Sequence, residues 1–270
     1  MMTESERAFR RGPFPIRFRL LQVRRTTRVS PQMMRVTLGG EELAGFHSEG
    51  ADDHVRLLFP EPGALKPVIP IVGPHGLSVP EGQKRPVARD YTPRRYDAAA
   101  GELDIDFVLH GTGPGATWAS KARVGDFIAV GGPRGSFIVT NDFDWYLFAG
   151  DETALPAIGR RLEELPAGAR AIAFIEVAGA AEEQRFDTRA NVQVTWLHRN
   201  GAAPGTTDLL EKAIRGLEFP PGDFFAWAAG EATTLRPIRE LFQQRVANKS
   251  WVRVNGYWKR GIADHDEPHD

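Results

Sequence analysis

The sequence predicts a two-part β + α/β protein: an antiparallel barrel followed by a doubly wound, mostly parallel sheet. Two observations predict it. Before about Asn141 the chain is a series of short strand-like runs punctuated by glycine and proline, with room for one small helix. After it, apolar strand-like runs alternate with helical periodicity, the pattern of a parallel sheet covered on both faces. The 270 residues suit two domains. The change of character places one at 1–141 and the other at 142–262, with an acidic tail over 263–270 that is expected to be disordered.

The barrel strands are expected at 17–27, 33–38, 53–59 (DHVRLLF), 103–109 (LDIDFVL) and 126–130, with the small helix near 115–122. Residues 60–88 form the main irregular stretch, either functional or disordered. In the second part, strands are expected at 145–149 (WYLFA), 169–177, 192–197 and 224–228. Leu155, Ile158, Leu162 and Leu165 mark one helix, and Leu235, Ile238, Leu241 and Phe242 another. Both helices open on similar turns, GDETALPAI from Gly150 and GEATTLRPI from Gly230. In each, a threonine is expected to cap the helix and a proline sits in its first turn.

Composition removes several function classes. The 41% hydrophobic content is enough for a sizeable core, and a net charge of −1 gives no global attraction to nucleic acid. The absence of cysteine excludes disulfides, iron–sulfur clusters on the chain's own thiolates, and thiol catalysis. Residues 1–13 lack the apolar core of a signal peptide, and no apolar run approaches the ~18 residues of a membrane span. A cytoplasmic protein without membrane insertion is therefore expected. The histidines do not cluster with carboxylates, and His265 and His269 lie in the acidic tail, so no metal site is expected.

Three linked motifs carry the chemistry. In Arg89-Asp90-Tyr91-Thr92-Pro93-Arg94, strand alternation puts Arg89 and Tyr91 on one face, able to bind a phosphate and cover a ring. Thr92 faces the other way. The run Asp106-Phe107-Val108-Leu109-His110-Gly111-Thr112-Gly113-Pro114-Gly115-Ala116-Thr117-Trp118 is a strand, a glycine-rich turn and a helix start. Free N–H groups at such a start favour a phosphate, and the turn has no lysine, so it is not a Walker A loop. The third, 125–137 (GDFIAVGGPRGSF), is a turn, a strand and a tight turn carrying Arg134.

Together these segments, in order and spacing, resemble the flavin-binding barrel of the ferredoxin–NADP reductase superfamily. With GDETALPA, WAAGEA and the terminal GYWKRG, they look like its siderophore-interacting subfamily over residues 15–262. The resemblance implies a Greek-key FAD-binding barrel, an NAD(P)H-binding-like α/β domain, and reduction of ferric siderophores. It places Arg89 on the FAD pyrophosphate, Tyr91 on the isoalloxazine and Thr92 near its reactive nitrogen, with Asp90 in the same cofactor-binding strand. Asp106, Val108, Leu109 and His110 would line the ribityl and adenosine side, and Ala116, Thr117 and Trp118 the pyrophosphate. Gly150, Asp151, Glu152 and Thr153 would sit between flavin and nicotinamide, with Gly230, Glu231 and Ala232 closing that cleft. Lys259 resembles a siderophore contact, and Arg260, Arg134 and Lys249 are further candidates for an anionic complex. No residue is expected to act as a general acid or base.

Two departures matter. Asp151 and Glu231 replace glycines of a G-x-G-x-x-G fingerprint, so these turns are expected to meet ribose hydroxyls or the nicotinamide amide. The superfamily's frequent nicotinamide-side cysteine is absent, which allows a weaker or more open nicotinamide site. The donor stays open. Glu176 suits a 2′-hydroxyl and NADH, whereas Arg185, Arg189 and Arg199 suit a 2′-phosphate and NADPH. A ferredoxin is a third option. A monomer is expected. Trp258 and Tyr257 either line the flavin edge or pack. The alternatives to a siderophore reductase are a flavin reductase acting on a protein, quinone or small organic acceptor, and a non-catalytic siderophore-binding module.

Overall fold

The computed structural model describes residues 7–263 apart from His75 and Thr112. The tail residues His265 and His269 lie outside the described residues. Two compact units divide the chain: Arg10–Phe137, and the rest of the described residues, 7–9 with 138–263. Strand β1 (Ala8–Arg11) falls at this division.

The first unit is a seven-stranded antiparallel sheet built from β2 (Phe18–Ser30), β3 (Met33–Gly39), β4 (Val55–Leu58), β7 (Ala88–Tyr91), β8 (Pro93–Asp97), β9 (Glu102–Val108) and β10 (Phe127–Gly131). Its order is β7-β4-β10-β2-β3-β9-β8, which interleaves strands distant in sequence, as Greek-key connections do. The edge strands β7 and β8 are separated in the chain by Thr92 alone, so the sheet must curl until its edges lie one residue apart. The barrel follows from that constraint. Its filling is Leu21, Val36, Leu57, Leu103, Ile105, Phe107, Ile128 and Val130, all buried. Alternation on β9 sends Leu103, Ile105 and Phe107 into this core and Asp104 and Asp106 to the other face. Between β4 and β7, the stretch expected to be irregular contains a short exposed hairpin, β5 (Ile71–Gly73) with β6 (Gly76–Ser78). After β9 comes a helix of six residues, α1 (Pro114–Ala119). Strand β11 (Ser136–Val139) follows β10.

In the second unit, five parallel strands run in the order β14-β13-β12-β15-β16. They are β12 (Trp145–Gly150), β13 (Arg170–Val177), β14 (Asn191–His198), β15 (Phe224–Glu231) and β16 (Val252–Trp258). The central strands β12 and β15 are buried throughout, which explains their nearly unbroken apolar runs. Helices α2 (Leu155–Glu164), α3 (Leu209–Arg215) and α4 (Leu235–Arg245) connect them. Strand order reverses between β12 and β15, so the carboxyl ends of these two strands flank the topological switch point, where open α/β sheets bind ligands. No described helix is long and apolar enough to cross a membrane.

The threonine caps expected on α2 and α4 are not formed. Neither helix has a side-chain cap bond, and Thr234 donates instead to the Glu231 carbonyl. The carboxylates perform the equivalent task. Asp151 accepts from Thr153 N, and Glu231 accepts from Thr233 N and Thr234 N, because a carboxylate carries more acceptor capacity than a hydroxyl.

Candidate functional site

In the barrel unit, the candidate surface is built on the last residues of β7. Arg89 and Tyr91 share one half-buried face, while Asp90 points the opposite way and is paired with Arg56 at 2.9 Å. Asp90, expected beside the cofactor, therefore belongs to an outer ion pair. The Tyr91 ring packs on Phe107 with centroids 4.5 Å apart. Burial pushes its hydroxyl above the ordinary range, so it stays protonated. Thr92 is buried at the seam between β7 and β8.

Helix α1 begins opposite this face. A Cβ at Gly115 would overlap the Tyr91 hydroxyl, so only glycine lets the helix come this close. The helix has no side-chain cap and no acid in its first turn. Ala116 is buried and Thr117 exposed. Trp118 turns inward onto Phe107 and Phe59, at 5.6 and 5.9 Å between centroids. Val108 and Leu109 are half-buried and His110 is exposed. Asp106 is buried, and its carboxylate is taken by Arg35 in a two-pronged contact at 2.7 and 2.8 Å with Arg94 at 3.8 Å. Its role is thus to tie β9 to β3. Tyr91 faces the start of α1 across a glycine that a Cβ would fill. Arg89 shares its strand face, with its guanidinium donating to the Ala88 carbonyl at 2.6 Å. An aromatic ring and a cation side by side fit a phosphate-linked cofactor bearing an aromatic ring.

In the α/β unit, the polar residues gather at the carboxyl ends of the strands and bind one another. Asp151 accepts at Oδ1 from Thr153 N (2.9 Å) and Thr153 Oγ1 (2.5 Å), and at Oδ2 from Glu231 N (3.1 Å) and Trp258 Nε1 (2.8 Å). Gly230, at φ +148°, brings β15 against it, and a Cβ there would stand 2.7 Å from Asp151 Oδ2. Burial, then the neighbouring Glu152, pushes the Asp151 carboxyl up to about 6. Glu231 goes the other way. Burial opposes it, but donors from the N–H groups of Thr234, Arg260 and Thr233 hold it below the usual carboxylate range. Ala232 beside it is half-buried.

Glu152 grips Arg199 with two bonds of 2.6 Å. Arg199 also lies 3.5 Å from Glu176, which accepts from Thr207 Oγ1 at 2.6 Å. The two residues left to choose between a ribose hydroxyl and a phosphate therefore face each other in one buried network. Arg185 and Arg189 are exposed.

Among the basic candidates, Lys259 and Arg260 follow β16 at the carboxyl edge, with Arg260 N donating to Glu231 Oε1 at 3.1 Å. Lys249 precedes β16, at the opposite edge. Seven strand residues put it roughly 20 Å from Lys259, so the two do not share a site. Arg134 is exposed in the barrel unit. Trp258 is a hydrogen-bond donor to Asp151 that the sequence leaves ambiguous, because the residue pattern of β16 does not mark it as a strand.

Two family models match the chain in order: the siderophore-interacting FAD-binding domain over residues 22–137 and the siderophore-interacting protein over 143–261. The NADPH-dependent ferric-chelate reductase of Escherichia coli is 37% identical over 90% of this chain and 93% of its own length. The chain belongs to the siderophore-interacting protein family. The ferric vibriobactin reductase ViuB of Vibrio cholerae is 36% identical, covering 93% of this chain and 94% of the relative. A siderophore utilization protein from T. fusca superposes with a TM-score of 0.89 at 46% identity, over 96% of this chain and 98% of that one. Phthalate dioxygenase reductase shares the fold alone, with a TM-score of 0.59 at 13% identity over 88% of this chain and 68% of that one. The family's first domain binds FAD, in agreement with the fit found on β7 and α1.

Proposed function

We propose that the chain is an FAD-dependent reductase that passes electrons from NADH or NADPH to ferric siderophores, releasing ferrous iron. The observation that carries this reading is the succession of Arg89, Tyr91 and Thr92 at the barrel seam, with Tyr91 packed against Gly115 at the start of α1. Arg89 and the first-turn N–H groups of α1 would hold the pyrophosphate, with Tyr91 against the flavin ring and Thr92 near its reactive nitrogen. Bound FAD supplies the conversion of two-electron hydride donation into one-electron delivery. The switch point between β12 and β15 would receive the nicotinamide nucleotide. Lys259 and Arg260 would attract an anionic ferric complex, the iron being substrate and needing no protein ligand. Ferrous iron is held less tightly by hard oxygen chelators, which drives release.

The names of the relatives, a ferric-chelate reductase and a ferric vibriobactin reductase, support this substrate class. The protein acts as a cytoplasmic monomer in this reading, and a ferredoxin is the alternative donor. Anaerobic titration of the yellow holoprotein with NADH and with NADPH, followed by a panel of ferric siderophores and a ferrous trap, tests it. Bleaching by a nicotinamide nucleotide and recovery of colour with trapped ferrous iron are expected. Bleaching without iron reduction by any member of the panel would overturn the substrate.

A further inference from the structure

Asp151 is a buried carboxylate whose four hydrogen bonds all come from protein donors. Its acceptor capacity is filled by Thr153 N, Thr153 Oγ1, Glu231 N and Trp258 Nε1, so one side chain joins the ends of β12, β15 and β16. The backbone ladder cannot do this unaided. The pairing of β15 with β16 shifts register between Gly230 and Glu231, and Glu231 stands opposite Trp258, immediately before Lys259. Among the described strands, β16 is the last of this sheet.

Three contacts hold this segment where the ladder is irregular. The Trp258 indole donates to Asp151 at 2.8 Å, the Trp258 carbonyl accepts from Ala232 N at 2.8 Å, and Arg260 N donates to Glu231 Oε1 at 3.1 Å. They bracket Lys259, whose own carbonyl accepts from Ile262 N at 3.0 Å. The residues on both sides of the lysine are therefore tied to the two βα turns, Trp258 through its indole to Asp151 and its carbonyl to Ala232 N, and Arg260 through its N–H to Glu231. Its long stem starts from a defined point instead of a frayed strand end.

We propose that Asp151 is a positioning residue for the ferric complex: through the Trp258 indole it fixes the end of β16 and so sets the place of Lys259. The proposal rests on the reading of Lys259 as the contact to an anionic ferric complex. It gives the acidic turns a role other than contact with the nucleotide. Trp258→Phe keeps an aromatic side chain while removing the indole N–H and part of its volume, which leaves Asp151 Oδ2 one donor short in a buried setting.

The test uses the full-length FAD-loaded protein, with a ferric tris-catecholate complex as the anionic acceptor and a ferric trihydroxamate as the neutral one. Trp258→Phe is expected to raise the ratio of the anionic to the neutral KM roughly tenfold, the loss expected for a hydrogen bond to a charged group. The change should lie in KM and not in kcat. In a Lys259→Ala background the same substitution should add nothing further, because the indole acts through the lysine. An unchanged ratio in Trp258→Phe, or an equal rise with Lys259 absent, overturns the positioning role alone. An unchanged ratio in Lys259→Ala overturns the assignment of Lys259 and the proposal with it. Failure of both complexes to turn over overturns the reductase reading and everything built on it. Should Trp258→Phe lose its flavin, Glu231→Gln, which weakens the hold on Arg260 N, is read by the same ratio with the same expectation.

Discussion

The barrel unit and the α/β unit use charge in opposite ways. In the barrel, ion pairs lie on the outer face of the sheet, where Arg35 meets Asp106 and Arg95 meets Asp104, Asp97 and Glu102. The face formed by Arg89, Tyr91 and α1 carries no acid in the helix's first turn. At the carboxyl edge of the parallel sheet, by contrast, Asp151, Glu152, Glu176, Glu231 and Arg199 are all buried and bind protein donors or each other. In the proposed function the first surface takes the phosphate of FAD, whereas the second is stitched together by its own charges.

The largest test of this contrast is Arg199→Met. It leaves Glu152 and Glu176 buried without their cation, and is expected to lower unfolding stability by about 3–5 kcal/mol while FAD affinity holds. Urea unfolding with a parallel FAD titration measures both, and equal loss in each would break the distinction. On the other side, Arg89→Ala is expected to weaken FAD binding by about 1.5–3 kcal/mol, roughly ten- to a hundredfold in Kd, with little change in stability. Fluorescence titration of FAD against the apoprotein reads it. Gly115→Ala should cost about 1–3 kcal/mol of stability and weaken FAD binding, because the new methyl displaces the Tyr91 hydroxyl.

The smallest effect separates the two carboxylates of the turns. Asp151 is raised from 3.8 to about 6, so its stabilising protonation is complete below the unfolded value and is lost as pH rises through about 6. Between pH 7 and pH 5 the protein should therefore gain about 1 kcal/mol that Asp151→Asn does not gain. Glu231 is lowered, so its contribution is present above the unfolded value of 4.5 and is lost as pH falls through its folded value. Thermal melts from pH 7 to well below pH 4.5, compared between the wild type and the two amide variants, show the Asp151 gain first and the Glu231 loss below 4.5, or contradict them.

The strands and helices that build the switch point were legible because burial on both faces leaves long apolar runs, as in β12 and β15. Edge elements were harder. β16 contains Asn255 and Gly256 and is only half-buried at its ends, so its pattern fades, and the short α3 has too few turns to register. Alternation alone placed Arg89 and Tyr91 together. The same rule sends Asp90 to the opposite face, where it pairs with Arg56.

By itself, the sequence determined the order of the two units and the absence of thiol chemistry, since these rest on local periodicity and residue type, while FAD binding and reduction came from the resemblance of its motifs to a known family. Only the tertiary structure decided which charges bind one another. Asp151 and Trp258 are far apart in the chain, as are Glu152 and Arg199, and both pairs meet because parallel strands bring their carboxyl ends to one edge. A buried carboxylate takes whatever donors that edge provides, and no spacing rule along the chain records them.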